Sequence, residues 1–192
     1  MAATATIPLP AGTKAPDFLL PDTVSGNTYS LNQLRGEKGT LLVFMCNHCP
    51  YVLHILNKLL SEAAYYKQLG ISVIAISSND VIKYPQDAPE RMKELALEKN
   101  FGFPYLYDAS QEVAKAYFAA CTPDFFLFDA DLRSFYRGRF DQSNHKNNLP
   151  PTGEDLRRAA DALLSGANPP AGEMPSLGCN IKWLNDQYPY EA

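Results

Sequence analysis

Residues 39–76, GTLLVFMCNHCPYVLHILNKLLSEAAYYKQLGISVIAI, constrain the fold of this chain more than any other stretch. Thr40 to Met45 is a short apolar run after Gly39, the pattern of a buried strand. Beyond Pro50, Val52, Ile55, Leu56, Leu59, Leu60 and Ala63 recur at intervals of three and four, which marks one face of a helix, and Gly70 ends it. The next six residues, ISVIAI, form a second buried strand. Two such strands joined through a helix pair in parallel, with a right-handed crossover. A parallel pair needs cover on both faces, so the expected architecture is an α/β domain: a central mixed β-sheet with helices on both faces.

The rest of the chain supplies the missing pieces. Phe18 to Leu31 holds a Ser-Gly-Asn turn between short extended runs and predicts an N-terminal β-hairpin. Pro89 opens the helix PERMKELALEKN, with Gly102 just past its end. FPYLYD is read as a short strand and SQEVAKAYFAA as a further helix. From Asp124 the pattern changes to FFLFDADLRSFYRGRF, two strand-like runs that predict an antiparallel hairpin. Thr152 followed by Asp155 resembles a capping box that starts a helix through Leu164. We read 1–14 as a loose N-terminal lead-in, 15–166 as one domain and 167–192 as a Pro- and Gly-rich C-terminal tail. Its apolar end, GCNIKWLNDQYPY, predicts docking on the domain.

Composition narrows the function. With 192 residues, 46% hydrophobic, the chain fills a substantial core and is not a disordered or fibrous sequence. Its 17 basic and 21 acidic residues include no block of Lys or Arg, which argues against nucleic acid and anionic membranes as partners. The opening MAATATIPLPAGTKAP lacks the charged and apolar regions of a signal peptide, and no apolar run reaches the length of a membrane span. A soluble, cytoplasmic protein is the expectation. In a reducing compartment, four cysteines point to redox or metal chemistry rather than a disulfide scaffold.

Two of those cysteines stand in FMCNHCPYVLH, residues 44–54. Cys49 falls between the end of a strand and a Pro suited to the first position of a helix, which makes it the expected N-cap. There the unpaired N–H groups and the positive end of the helix dipole favour thiolate, the nucleophilic form. Cys46, three residues earlier, is an accessory thiol within reach of a disulfide to Cys49. Two other readings stand beside this one: buried cysteines are often inert core residues, and Cys46, His48, Cys49 and His54 are all competent metal ligands. A closed zinc site usually brings a second ligand pair, whereas Cys121 and Cys179 are single and distant, and His54 is rotated away from Cys49 on an ideal helix. No metal and no other cofactor is therefore expected.

CNHCPYV together with CTPDFFLFD and GCNIKW resembles the thioredoxin-like redoxins of the alkyl hydroperoxide reductase and thiol-specific antioxidant superfamily, most closely a peroxiredoxin-like branch. The resemblance runs from about Ala15 to Trp183. It implies a thioredoxin fold and fixes the register of the site. Thioredoxins place their first redox cysteine five residues after a buried strand aromatic, as Cys49 follows Phe44; the second thioredoxin cysteine position is then Val52, so the visible CNHC is out of register. Cys49-Pro50 is similar to the peroxidatic Cys-Pro of peroxiredoxins. Two positions depart from the peroxidase pattern: Cys46 stands where those proteins carry a peroxide-binding Thr, and Leu42 where they carry a Pro. Thr122-Pro123 resembles the cis-proline turn facing the redox cysteine, which brings Cys121 into its neighbourhood. The resemblance also implies an Arg near the thiolate in a peroxidase site, which Arg137 or Arg139 could supply; neither matches a motif, and we read both as exposed hairpin charges.

The expectation is a thiol-dependent oxidoreductase with antioxidant-type activity. Cys49 attacks a peroxide or disulfide, giving a sulfenic acid or mixed disulfide. A second cysteine resolves it: Cys46 first by proximity, with Cys121 and Cys179 behind. A thioredoxin- or glutathione-like reductant closes the cycle, with Pro50, Thr122 and Pro123 supporting the site; an oligomer is compatible with this reading. The alternative is a non-catalytic thioredoxin-fold module that senses oxidation or holds a metal.

Overall fold

The computed structural model describes residues 3–5, 9–171, 174–186 and 188–190. In chain order its elements are strand β1 (Ala3–Ala5), the hairpin strands β2 (Leu19–Pro21) and β3 (Thr28–Ser30), and helix α1 (Leu31–Leu34). The β4 (Gly39–Phe44), α2 (Pro50–Gln68), β5 (Ile71–Ser77) unit follows, then α3 (Pro89–Glu98), β6 (Tyr105–Tyr107), α4 (Glu112–Ala116) and β7 (Cys121–Thr122). The chain continues through the hairpin β8 (Asp124–Asp129) and β9 (Ser134–Gly138), helix α5 (Glu154–Ser165) and the tail strand β10 (Leu177–Asn180).

The central sheet has the order β6-β5-β4-β8-β9. Strands β4, β5 and β6 run parallel, and β8 is antiparallel to both β4 and β9, so the sheet is mixed. Alternation along β4 divides the core in two. Leu41 and Val43 pack with Val52, Ile55 and Leu59 of α2, Met92 of α3 and Ala159 of α5. Leu42 and Phe44 pack on the other side with Leu31, Tyr117, Phe126 and Phe128. Helices cover both faces, as the expected thioredoxin fold requires.

The long helix α2 is tied across the first face at mid-length. Glu62, only 1% exposed, accepts from Lys58 Nζ at 2.7 Å and from Arg157 of α5 through Nη2 at 2.5 Å and Nε at 3.0 Å. The pairing satisfies a carboxylate that would be costly to bury alone.

Three details differ from the sequence reading. The Thr152/Asp155 capping box does not form: α5 starts from Gly153, whose φ of 72° suits glycine. The carboxylate of Asp141 instead accepts the N–H groups of Thr152 at 2.6 Å and Gly153 at 2.7 Å, and Asp155 turns to Arg139. The helix read over SQEVAKAYFAA is only Glu112–Ala116, because Tyr117 turns into the core and Phe118 takes a φ of 53°. Within the lead-in, Ala3–Ala5 is not loose: β1 pairs antiparallel with β10, which also pairs with β7 in a three-stranded sheet of order β1-β10-β7. Among the described residues, no helix is long and apolar enough to cross a membrane.

Candidate active site

Strand β4 delivers the chain to the site, and Met45 N still donates to Ile76 O at 2.9 Å before the backbone leaves the sheet. Cys49 then takes the extended conformation of an N-cap, φ −69° and ψ 120°, with Pro50 as the first helical residue. Pro suits that position because its missing N–H would have no helical partner. The Cys49 side chain makes no capping hydrogen bond to the first turn of α2. Its thiol lies instead 3.0 Å from the backbone oxygen of Thr122, to which it donates.

Neighbouring thiols lower the Cys49 thiol, and the N–H of Val52 at the start of α2 lowers it less. Cys179 first, then Cys46, then the Thr122 hydroxyl donate to the Cys49 sulfur and hold its thiol well below the ordinary range, against burial, which opposes the charge. The two donors are pushed the other way. Cys46 is raised by its bond to Cys49, by burial and by the nearby charge of Asp87; Cys179 is raised by its bond to Cys49 and by burial. Acidity is thereby concentrated on Cys49 within a cluster of three buried sulfurs.

Three elements distant in sequence bring these sulfurs together: the β4–α2 connection carries Cys46 and Cys49, β7 carries Thr122, and β10 carries Cys179 directly opposite Thr122. Thr122–Pro123 is a cis peptide, as the resemblance implied. The Thr122 hydroxyl sits 3.6 Å from Cys46 Sγ, so the side chain of its neighbour Cys121 points to the opposite side of β7, with Sγ 3.6 Å from Pro123 O. Of the two distant cysteines read as resolving candidates, the fold brings Cys179 to Cys49 and turns Cys121 away.

A polar network supports the Cys46 side. Asp87, fully buried, accepts from Asn47 N at 2.9 Å and from Asn79 Nδ2 at 2.8 Å, and pairs with His48 Nδ1 at 2.7 Å. His48 Nδ1 is also 3.9 Å from Cys46 Sγ, and its ring stacks on Tyr84. Ligand atoms of Cys46, His48 and Asp87 lie within 4.8 Å of one another, a set that could hold a metal ion. His54 is not part of it; its Nε2 is 3.1 Å from Ser143 Oγ. Asp87 and Asn79 were not legible as site residues. The one cue is local: Asp87 stands in the turn PQDAP between Pro85 and Pro89, which fixes its backbone.

Arg137 corrects the reading as an exposed charge. Its side chain is 3% exposed, pairs with Asp124 at 3.1 Å, donates to Phe118 O at 2.6 Å and lies over the Phe126 ring at 4.4 Å. Phe126 belongs to the face away from α2, so this cation is behind the sheet from Cys49. Arg139 is half-exposed, bonded to Asp155 at 2.6 Å. It lines a cavity of about 310 Å³ with Tyr51, Ile55, Pro123, Phe125 and Phe140, beside the thiol cluster.

Comparison with known proteins agrees with this geometry. The chain is similar over 96% of its length to an uncharacterized conserved protein from Geobacillus kaustophilus, at 48% identity, 97% coverage of that chain and a TM-score of 0.93. It is similar over 94% of its length to a hypothetical protein from Sinorhizobium meliloti 1021, at 44% identity, 98% coverage and a TM-score of 0.91. The fold is shared with the peroxidoxin BcpB from Mycobacterium tuberculosis, at 18% identity over 81% of this chain and 96% of that one, with a TM-score of 0.60. No curated protein matches. The AhpC/TSA family model matches residues 11–133, which include the β4–α2 connection with both of its cysteines and the Thr122–Pro123 turn. A thioredoxin-like chain matched over that span belongs to the AhpC/TSA family, a membership that supports a thiol-dependent redox role.

Proposed function

We propose that the protein is a thiol-dependent oxidoreductase in which Cys49 is the nucleophile. The observation that carries this reading is the place of Cys49, at the start of α2 before Pro50 and against the Thr122–Pro123 turn, with Cys46 and Cys179 buried in the same cluster; its neighbours lower its thiol below the ordinary range. A thiolate at neutral pH attacks a disulfide sulfur or a peroxide oxygen, and a neighbouring thiol completes the exchange. A thioredoxin- or glutathione-like reductant then restores the dithiol, and the antioxidant role is exercised in the cytoplasm.

Disulfide exchange suits the site better than peroxide reduction. Cys46 occupies the position of the peroxide-binding Thr, and the buried Arg137 lies behind the sheet, where it cannot steady a peroxide at Cys49. Turnover of a small disulfide with a dithiol reductant tests the assignment. Cys49→Ser is expected to abolish it, and a variant that keeps wild-type turnover overturns the reading. Decay of hydrogen peroxide on the reduced protein, measured by stopped flow, separates the two activities: a rate no faster than that of free thiol excludes the peroxidase.

A second reading rests on Cys46, His48 and Asp87 as a metal-holding set in a non-catalytic module. His48 Nδ1 and Asp87 are already hydrogen-bonded at 2.7 Å, a contact a metal would have to open. Metal content of the purified protein, with and without chelator, decides it: a stoichiometric ion lost together with the fold favours the module.

A further inference from the structure

We propose that Cys179 is the thiol that resolves Cys49, delivered by the pairing of the tail strand β10 with β7, and that β10 lifts from Cys49 to admit substrate. The inference rests on the reading of Cys49 as the nucleophile. It reverses the order suggested by proximity in sequence, which put Cys46 first.

The seat of β10 is built for this register. Cys179 pairs with Thr122, whose backbone oxygen is 3.0 Å from Cys49 Sγ. Gly178 lies flat on the same peptide: a Cβ there would overlap the Thr122 carbonyl and approach Pro123 N to 3.2 Å. Any larger residue at 178 pushes the strand off its seat and Cys179 with it. Downstream, the tail is pinned by buried polar contacts. Gln111 Nε2 donates to Lys182 O at 2.9 Å, Lys182 N donates to Asn79 Oδ1 at 2.9 Å, and Trp183 is buried. The anchor beyond β10 keeps Cys179 tethered when the strand itself opens.

Opening is required because Cys49 is 0% exposed and β10 forms part of its cover. The charge distribution orders the subsequent step. In the first step the Cys49 thiolate attacks a disulfide RSSR, forming Cys49–S–SR and releasing RS⁻, which takes a proton from solvent. Cys49 then no longer carries the charge that raises its neighbour, so the Cys179 thiol falls back toward the ordinary range, helped by Lys182. In the second step Cys179 attacks the Cys49 sulfur of the mixed disulfide. The Cys49–SR bond breaks, the Cys49–Cys179 bond forms, and the departing RS⁻ carries away the proton of Cys179 as RSH. The released substrate is reduced by two electrons and the two cysteines are oxidised by two, which an external dithiol returns.

The test uses the full chain and one equivalent of a small aromatic disulfide whose thiol is coloured when released. Wild type is expected to release two thiols per chain, with mass spectrometry placing the new disulfide between Cys49 and Cys179. Cys179→Ser is expected to release the first thiol and to slow the second at least tenfold. In Cys46→Ser, the mapped disulfide remains Cys49–Cys179. Gly178→Ala is expected to speed the first release, by uncovering Cys49, and to slow the second; Cys179→Ala repeats the loss if Gly178→Ala does not fold. A wild-type disulfide between Cys46 and Cys49, or an undiminished second release in Cys179→Ser, overturns this inference alone. Cys49 left reduced in the wild type overturns the nucleophile assignment and the inference with it.

Discussion

Thr122 and Cys121 are consecutive residues of one short strand, yet they look into two different environments. On the side of α2, Thr122 joins three sulfurs in a neighbourhood whose donors are thiols and a hydroxyl. On the far side, behind β8, a guanidinium is paired with a buried carboxylate and an aromatic ring. The buried guanidinium stands on the face without Cys49. The Cys49 sulfur itself meets weak, proton-bearing donors, which can give up a hydrogen bond as a sulfur changes partner. A buried Arg beside Cys49 would hold a thiolate more strongly and would also oppose its conversion to a neutral disulfide. On the proposed reading, that difference suits exchange among sulfurs.

The far face can be tested by removing its cation. Arg137→Met removes a buried guanidinium paired with Asp124 and is expected to cost about 3–5 kcal/mol of stability, read by denaturant unfolding. The pH profile of Cys49 alkylation should stay where it is; a shifted profile would mean that the charge reaches through the sheet, and the contrast between the faces would fall. Asp87→Asn comes next, on the thiol side. Weakening the bonds to Asn47, Asn79 and His48 should cost about 1–3 kcal/mol. Because the Asp87 charge raises Cys46, its removal should also let Cys46 alkylate at lower pH in a Cys49→Ser background.

Smaller effects sharpen the account of the thiol face itself. Cys49 is held below the ordinary thiol range, so its alkylation should persist as pH falls below neutrality, where a normal thiol is protonated. Cys179→Ala removes the leading donor and should move that profile upward; Cys46→Ala should move it less, and Thr122→Val least. Iodoacetamide rates across pH read all three. If Cys46→Ala produced the largest shift, the dominant partner would be the neighbour in sequence rather than the one on β10.

Local features of the chain announced themselves in the sequence. The helix after Pro50 was legible because Val52, Ile55, Leu56 and Leu59 keep the helical interval, and Cys49 at its start because Pro50 follows it. The β8–β9 hairpin and the docking of the tail were legible from apolar runs and their spacing. The Thr122–Pro123 turn was legible only through the family resemblance. What escaped were encounters between distant segments. His48 meets Asp87 across 39 positions, and Arg137 is buried because Asp124 and Phe126 on the adjoining strand receive it, which no pattern local to YRGRF expresses. The capping box at Thr152 failed for a related reason: Asp141 outcompeted Thr152, and Arg139 drew Asp155 away. Cys121 and Cys179 looked alike as isolated cysteines; alternation along β7 and the register of β10 separate them.

The buried Glu62, gripped by Lys58 on its own helix and by Arg157 on α5, has a mechanical meaning for the site one end of α2 away. It makes that helix the fixed jaw of a vice. Exposing Cys49 by swinging α2 would tear the Glu62 carboxylate from Arg157 on α5, whereas parting β10 from β7 opens a pairing two residues long. Compliance therefore resides in the tail, and the sulfur that stays still is the one whose position the chemistry must know in advance.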